Sequence, residues 1–156
     1  MHLLLPFLLL LLASLVSAQT PTGPYKAIPF PSDYIGRCTK PKDMVNNTTP
    51  DAPLVEDCMH LLQNIAKGGR WTTRHNRRRE IARYGSCHFG VKKRSKFTLD
   101  FMYLTYSVEM EDVRYAILES IKEFGSEDGH VAAEGKFACL GPQLIETLFD
   151  VDWYIY

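Results

Sequence analysis

Beyond residue 18, the side chains singled out for covalent, proton-transfer or metal chemistry are few: Cys38, Cys58, Cys87 and Cys139, the histidines His60, His75, His88 and His130, and the Ser86 hydroxyl. Zinc draws on close Cys-x-x-Cys pairs, whereas these cysteines stand twenty or more residues apart, so no metal site is expected. A nucleophile needs a base within hydrogen-bond reach. His60 follows Cys58 by two positions in a helical pattern, which puts them on different faces, and His88 adjoins Cys87 in an alternating pattern, which points them in opposite directions. Ser86 lacks the Gly-x-Ser-x-Gly surroundings of a hydrolase elbow. The acid pairs Glu127–Asp128, Asp150 with Asp152, and Glu109 with Asp112 could be imagined as glycosidase carboxylates, but solvated turns and edge strands account for them. The enzyme alternative is a basic nuclease, with Arg77 to Arg79 on phosphate and His75 or His88 as acid and base. The expectation is therefore no catalytic residue and no cofactor.

Other segments indicate where such a protein works. Leu3 to Leu12 form an apolar run broken only by Pro6, and small residues follow to Ala18. That is shorter than the roughly twenty residues a membrane-spanning helix needs and reads as a signal peptide over 1–18 rather than an anchor. No second apolar run follows it, so the mature chain is expected to carry no transmembrane segment. The cysteines, even in number in an exported chain, then point to two disulfides, whose connectivity the residues alone leave open.

Lysine plus arginine balance aspartate plus glutamate at 18 each, yet the charges are segregated. From Arg70 to Lys96 ten basic residues, among them Arg77, Arg78, Arg79, Lys92, Lys93 and Arg94, stand against the single acid Glu80. Such a block attracts phosphate, anionic lipid or acidic polysaccharide, and these six residues are the candidate binding face; a solvated loop offsetting the acidic half is the plainer reading. Arg77–Arg79 and Lys92–Arg94 are also dibasic sites of the kind that secretory proteases cleave.

The elements that must position these residues are legible by period. Residues 19–37 are a proline-rich irregular arm, and most of the chain to Pro53 reads as irregular. Asn46 and Asn47 each open an N-x-Thr sequon in a polar segment, so one N-glycan is expected there. Leu54, Cys58, Leu61, Leu62 and Ile65 recur at helical spacing, with Pro53 in the first turn and Gly68–Gly69 beyond. A second helix carries Val113, Ile117, Ile121 and Phe124 on one stripe, Glu109, Glu111 and Asp112 near its start, and Gly125 as its stop. Period-two runs at Cys87–Val91, Phe97–Tyr103 and Phe149–Ile155 predict strands, as does Val131–Leu140, with Gly135 as a bulge. The sum is an α+β two-layer sandwich: a mainly antiparallel sheet of four to five strands packed on two helices.

Glu56-Asp57-Cys58 with Leu61 and Ile65, then Trp71, Gly85-Ser86-Cys87-His88-Phe89-Gly90-Val91, Asp112-Val113 and Val131-Ala132-Ala133-Glu134-Gly135-Lys136-Phe137-Ala138-Cys139, taken in order, resemble the necrosis-inducing effector domain of fungal extracellular-protein-two homologues. The resemblance covers roughly Cys38 to Cys139, within a domain bounded at 38–156. It implies a secreted effector that modulates plant cell death or defence, with a fold similar to fungal killer toxins, and hence, as the alternative, an antimicrobial toxin acting on competitor membranes or channels. With the family's spacing it implies the pairs Cys58–Cys87 and Cys38–Cys139. The partner expected is a host or competitor surface target, anionic if the basic stretch meets it, with no nucleic acid; the protein itself is expected to be monomeric. The chain departs from the family in placing Val108–Glu109 where a glycine usually precedes the second helix, and in the residues around Phe97 to Tyr103.

Overall fold

The computed structural model describes residues 36–74, 77–94, 105–141 and 148–156. The expected signal peptide, nearly all of the arm, His75, Lys96 and the expected strand at Phe97–Tyr103 lie outside them. In chain order the elements are β1 (Lys42–Asn46), α1 (Val55–Ile65), β2 (Arg70–Thr73), β3 (Arg79–Tyr84), β4 (Cys87–Lys93), β5 (Tyr106–Glu109), α2 (Met110–Phe124), β6 (Ala133–Leu140) and β7 (Leu148–Ile155). Five strands form an antiparallel sheet in the order β1-β6-β7-β4-β3, and β2 pairs with β5 in a second, two-stranded sheet. This is the expected α+β sandwich, with the small sheet added.

Alternation sets the two faces of the large sheet. Phe89 and Val91 of β4, Phe137 of β6, and Val151, Trp153 and Ile155 of β7 are buried and join Leu61 and Leu62 of α1 with Val113 and Ile117 of α2 in one core. The residues between them, such as Lys92, Lys136, Asp152 and Tyr154, occupy the face without helices. Both expected disulfides are present, Cys58–Cys87 tying α1 to β4 and Cys38–Cys139 tying the segment before β1 to β6.

Helix α1 buries Cys58, Met59, Leu61 and Leu62. Pro53 precedes its cap residue Leu54 and so stands outside the first turn; the Leu54 amide instead donates to Ser86 Oγ at 2.9 Å. Helix α2 begins at its N-cap Glu109, whose backbone amide donates to Asp112 Oδ2 at 2.7 Å. The other Asp112 oxygen accepts the Cys38 amide at 3.1 Å. Asp112, fully buried, thus fixes the start of α2 and the disulfide-bearing segment together.

The basic stretch departs from the loop reading. Arg79–Tyr84 is strand β3, joined to β4 through Gly85–Ser86. Positive φ at Gly85 alone (51°) matches a type II′ hairpin turn, and Asp57 Oδ2 holds that turn by accepting the Ser86 amide and hydroxyl, each at 2.7 Å. Strand β1 likewise lies inside the stretch read as irregular; it pairs with β6 through an irregular register, two of its residues facing the place of one, with Asp43 at φ 49°.

Gly135 is not a bulge in its own strand, because β6 runs in continuous register with β7 from Ala133 to Leu140. Its small size has a packing cause: a Cβ there would stand 2.5 Å from Trp153 Cζ2. That indole is fully buried, with ring centroids 6.1 Å from Phe89 and 5.8 Å from Phe137. Gly135→Ala should therefore cost about 1–3 kcal/mol by overpacking, read as a lower urea midpoint at unchanged slope. A loss below about 0.5 kcal/mol, the range of ordinary surface substitutions, would show that the indole has room to move.

Candidate functional site

The six basic residues of the candidate face do not form one surface. Pairing sets Arg79 opposite Val91 and Lys93 opposite Val151, which turns both toward the helical side, and the Lys93 ammonium lies 4.8 Å from the Phe149 ring centroid. Lys92 stands opposite Asp152 on the open face, and Arg94 makes an ion pair of 3.4 Å with the same carboxylate. Close by, Lys136 bonds Asp43 at 2.6 Å, a contact that holds the Asp43 carboxyl below its ordinary range. The open face is thus a mixed-charge ladder, and Arg77 and Arg78 stand exposed on the chain leading into β3.

Arg78 has a different environment. Its guanidinium carbon lies 3.8 Å from the Tyr154 ring centroid and 4.7 Å from that of Tyr156, stacked on the sheet's outer tyrosines. Gly90 makes room for this: a Cβ there would meet Tyr156 Cε1 at 3.0 Å and Arg78 Cγ at 3.4 Å. Tyr156 is fixed by backbone bonds of 3.1 Å in both directions with His88, whose imidazole lies 5.7 Å from the Tyr156 ring and bonds Glu80 at 2.6 Å. Burial first, then the neighbouring Asp152 carboxylate, push the Tyr154 phenol above its ordinary range, with Arg78 acting in the opposite sense.

Beside this stack the surface dips into a groove of about 260 Å³, with Asn47, Asp51, Arg78, Glu134, Tyr154 and Tyr156 around it and Pro53, Ala132 and Ala133 among its apolar lining. Four separate segments build it, two of them, 47–53 and 131–134, locked together by hydrogen bonds. The Asn47 amide donates to the Ala132 carbonyl at 3.0 Å and Val131 donates to Pro53 at 2.8 Å, while Thr48 Oγ1 accepts the Ala132 amide at 3.0 Å. Asn47 was singled out in the sequence only as a sequon, and Tyr154, Tyr156, Glu134 and Asp51 not at all for a site. A signal did exist: Tyr154 and Tyr156 are aromatic at the outward phase of a strand whose inward phase is Val151, Trp153 and Ile155.

Several side chains nominated for catalysis are engaged in structural contacts. Ser86 Oγ bridges Asp57 and the Leu54 amide. His60 contacts Gln63 and Glu56, and His130 Nδ1 lies 2.6 Å from the Ala52 carbonyl. Glu109 and Asp112 form the start of α2, Glu109 also pairing with Arg70 at 2.7 Å. All four cysteines are in disulfides, and among the described residues no three His, Cys, Asp or Glu side chains gather as metal ligands would. Asn46 and Asn47 are both exposed, and Asn46 Oδ1 accepts the Thr48 amide at 2.9 Å. No helix of the described residues is long and apolar enough to cross a membrane.

Two curated relatives come from Penicillium expansum: "Probable chitinase LysM18", 37% identical over 112 residues, and "Secreted chitinase LysM12", 24% identical over 119 residues. The matches take in 71% and 76% of this chain but only 7% and 8% of those proteins, so the chain spans less than a tenth of the relatives it matches. The family model that matches covers residues 37–139, the span closed by Cys38–Cys139, and is described as "Pathogen effector; putative necrosis-inducing factor". By that match, across well over half its length, the chain belongs to the Hce2 family of pathogen effectors.

Proposed function

We propose that the protein is a secreted fungal effector that acts without catalysis, binding a host target at the cell surface or in the extracellular space and changing plant cell death or defence. The observation that carries this reading is the family match over the disulfide-closed domain. Residues 1–18 direct export and are removed, 19–37 form an arm, and 38–156 act as a monomer with an N-glycan at Asn46 or Asn47. The engagement of Ser86, His60, His88 and His130 in structural contacts favours binding over chemistry, and the nuclease alternative loses support because, of the Arg77 to Arg79 run, Arg79 turns to the other side of the sheet from His88 and Arg78 is stacked on tyrosines. The open face of the large sheet, with the groove beside Arg78, is the binding surface. The match to chitinase-named relatives favours a second reading, a toxin-like protein directed at competing fungi.

The test is infiltration of the oxidised protein, secreted from the full reading frame, into leaf apoplast beside a reduced and alkylated control. Ion leakage and cell death from the oxidised form alone are expected. No response on several plant species, together with growth arrest of competing fungi, would replace the first reading by the second.

A further inference from the structure

We infer that the groove beside Arg78 is a saccharide subsite that takes one neutral pyranose unit of an extracellular polysaccharide. The inference rests on the proposal that this face binds its target outside the cell, and names the chemistry of that target.

Size comes first. At about 260 Å³ the groove falls just under the range of roughly 300–1,000 Å³ that accommodates drug-sized ligands. It suits one ring-sized unit of a longer chain rather than a helix or a folded partner. Charge narrows the chemistry further. Arg78 is its cation, and Asp51 and Glu134 are carboxylates on the same rim. This balance, acidic by one, disfavours phosphate, sulfate and nucleic acid, which basic sites attract. A ring bearing several hydroxyls fits both signs at once, accepting from the guanidinium and Asn47 while donating to the carboxylates, as hydroxyls both donate and accept.

The tyrosines supply the remaining element. Tyr156 is 38% exposed; Arg78 occupies one face of its ring and one of the Tyr154 ring, so the tyrosines offer a pyranose their hydroxyls and ring edges beside the guanidinium, an apolar body with a polar tip. Arg78 stacked on these rings keeps its planar fork of donors pre-oriented. The bonds from Asn47 and Thr48 to Ala132, and from Val131 to Pro53, hold the rim in place before any ligand arrives, which lowers the ordering cost of binding. The position of Asn47 has a corollary: a glycan on Asn47 would sit in the groove, whereas one on Asn46 need not.

The experiment uses the full chain with its disulfides formed, produced in the periplasm of a bacterial host that adds no N-glycan, so that Asn47 stays in place and no glycan of its own fills the groove. It is cosedimented with insoluble chitin, β-1,3-glucan and cellulose and titrated calorimetrically with hexasaccharides of each. Binding to at least one neutral polymer is expected. Tyr156→Ala and Arg78→Ala, added to that chain, should each weaken it by about tenfold or more at unchanged melting temperature, whereas Lys122→Ala on the exposed side of α2 should leave it unchanged. Absence of binding to all three polymers, equal binding by every variant, or binding only to a polyanion such as heparin would overturn the inference. Leaf responses scored on the same proteins separate the two readings: failure of sugar binding with cell death intact overturns the subsite alone, and loss of cell death in a sugar-binding protein overturns the effector reading alone.

Discussion

Full reduction and alkylation of Cys38, Cys58, Cys87 and Cys139 should abolish the folded state. In the chain-entropy description, a bridge across the 29-residue separation of Cys58 and Cys87 contributes about 3.5 kcal/mol and one across the 101-residue separation of Cys38 and Cys139 about 4.7 kcal/mol. Their sum, about 8 kcal/mol, rivals the roughly 5–15 kcal/mol that holds a typical domain together. Location reinforces the effect: Cys58–Cys87 joins α1 to the sheet, and Cys38–Cys139 fastens the segment before β1 alongside β6, where Cys38 and Cys139 also form an antiparallel bridge. Three of the four cysteines are wholly buried, so reduction has to be carried out in denaturant and the denaturant then removed. The alkylated chain should show no cooperative melt and no near-ultraviolet circular dichroism. A melting temperature equal to that of the oxidised protein would refute the assignment of these bridges as its main fastening. Between the single-bridge variants, loss of Cys38–Cys139 should cost more, since it closes the longer loop.

Asp112→Ala should loosen the start of α2 and the Cys38 segment together. Its carboxylate receives backbone amides from Glu109 and Cys38 in a site closed to solvent. Alanine would leave both donors without this acceptor, at about 1–3 kcal/mol each, and would remove a negative charge from the positive end of α2, where it interacts favourably. A loss of about 2–5 kcal/mol is expected from urea unfolding. Cys38–Cys139 should also become more accessible to dithiothreitol, since the Cys38 amide is one of the two anchors released. A change of less than about 0.5 kcal/mol, the size expected of an ordinary surface position, would mean that water replaces the carboxylate without penalty.

Asp112 illustrates what was legible in advance. Its place near a helix start was plain from Val113, Ile117 and Ile121, but its second role depends on Cys38, 74 positions away, which no local pattern reveals. Both helices and strands β4, β6 and β7 were legible because each buries one phase of its period. Strand β3 was hidden for the opposite reason: it is an edge, its two faces are both largely polar, and the register irregularity between Glu80 and Ala82 breaks its alternation. Strand β1, the other edge, is irregular at Asp43 in the same way. The disulfide pairs followed from family resemblance and not from spacing. The groove was the least legible, since Asn47, Arg78, Glu134 and Tyr154 come from four segments and only the fold sets them side by side. The same fold divides the basic run, adjacent in sequence, between two sides of a sheet.

The place of β7 has a consequence for how the molecule is made. It lies between β6 and β4 and joins the two halves of the sheet, yet it follows every other strand in chain order. As the polypeptide emerges, α1 and the β3–β4 hairpin can meet and Cys58 can find Cys87 within a short contour. The β6–β7–β4 pairing has to wait for residues 148–155, and until then the edges of β4 and β6 stand open and the core lacks Trp153. Oxidative folding should accordingly pass through a species with Cys58–Cys87 closed and the sheet still divided, the stage at which the chain is most exposed to edge-to-edge association.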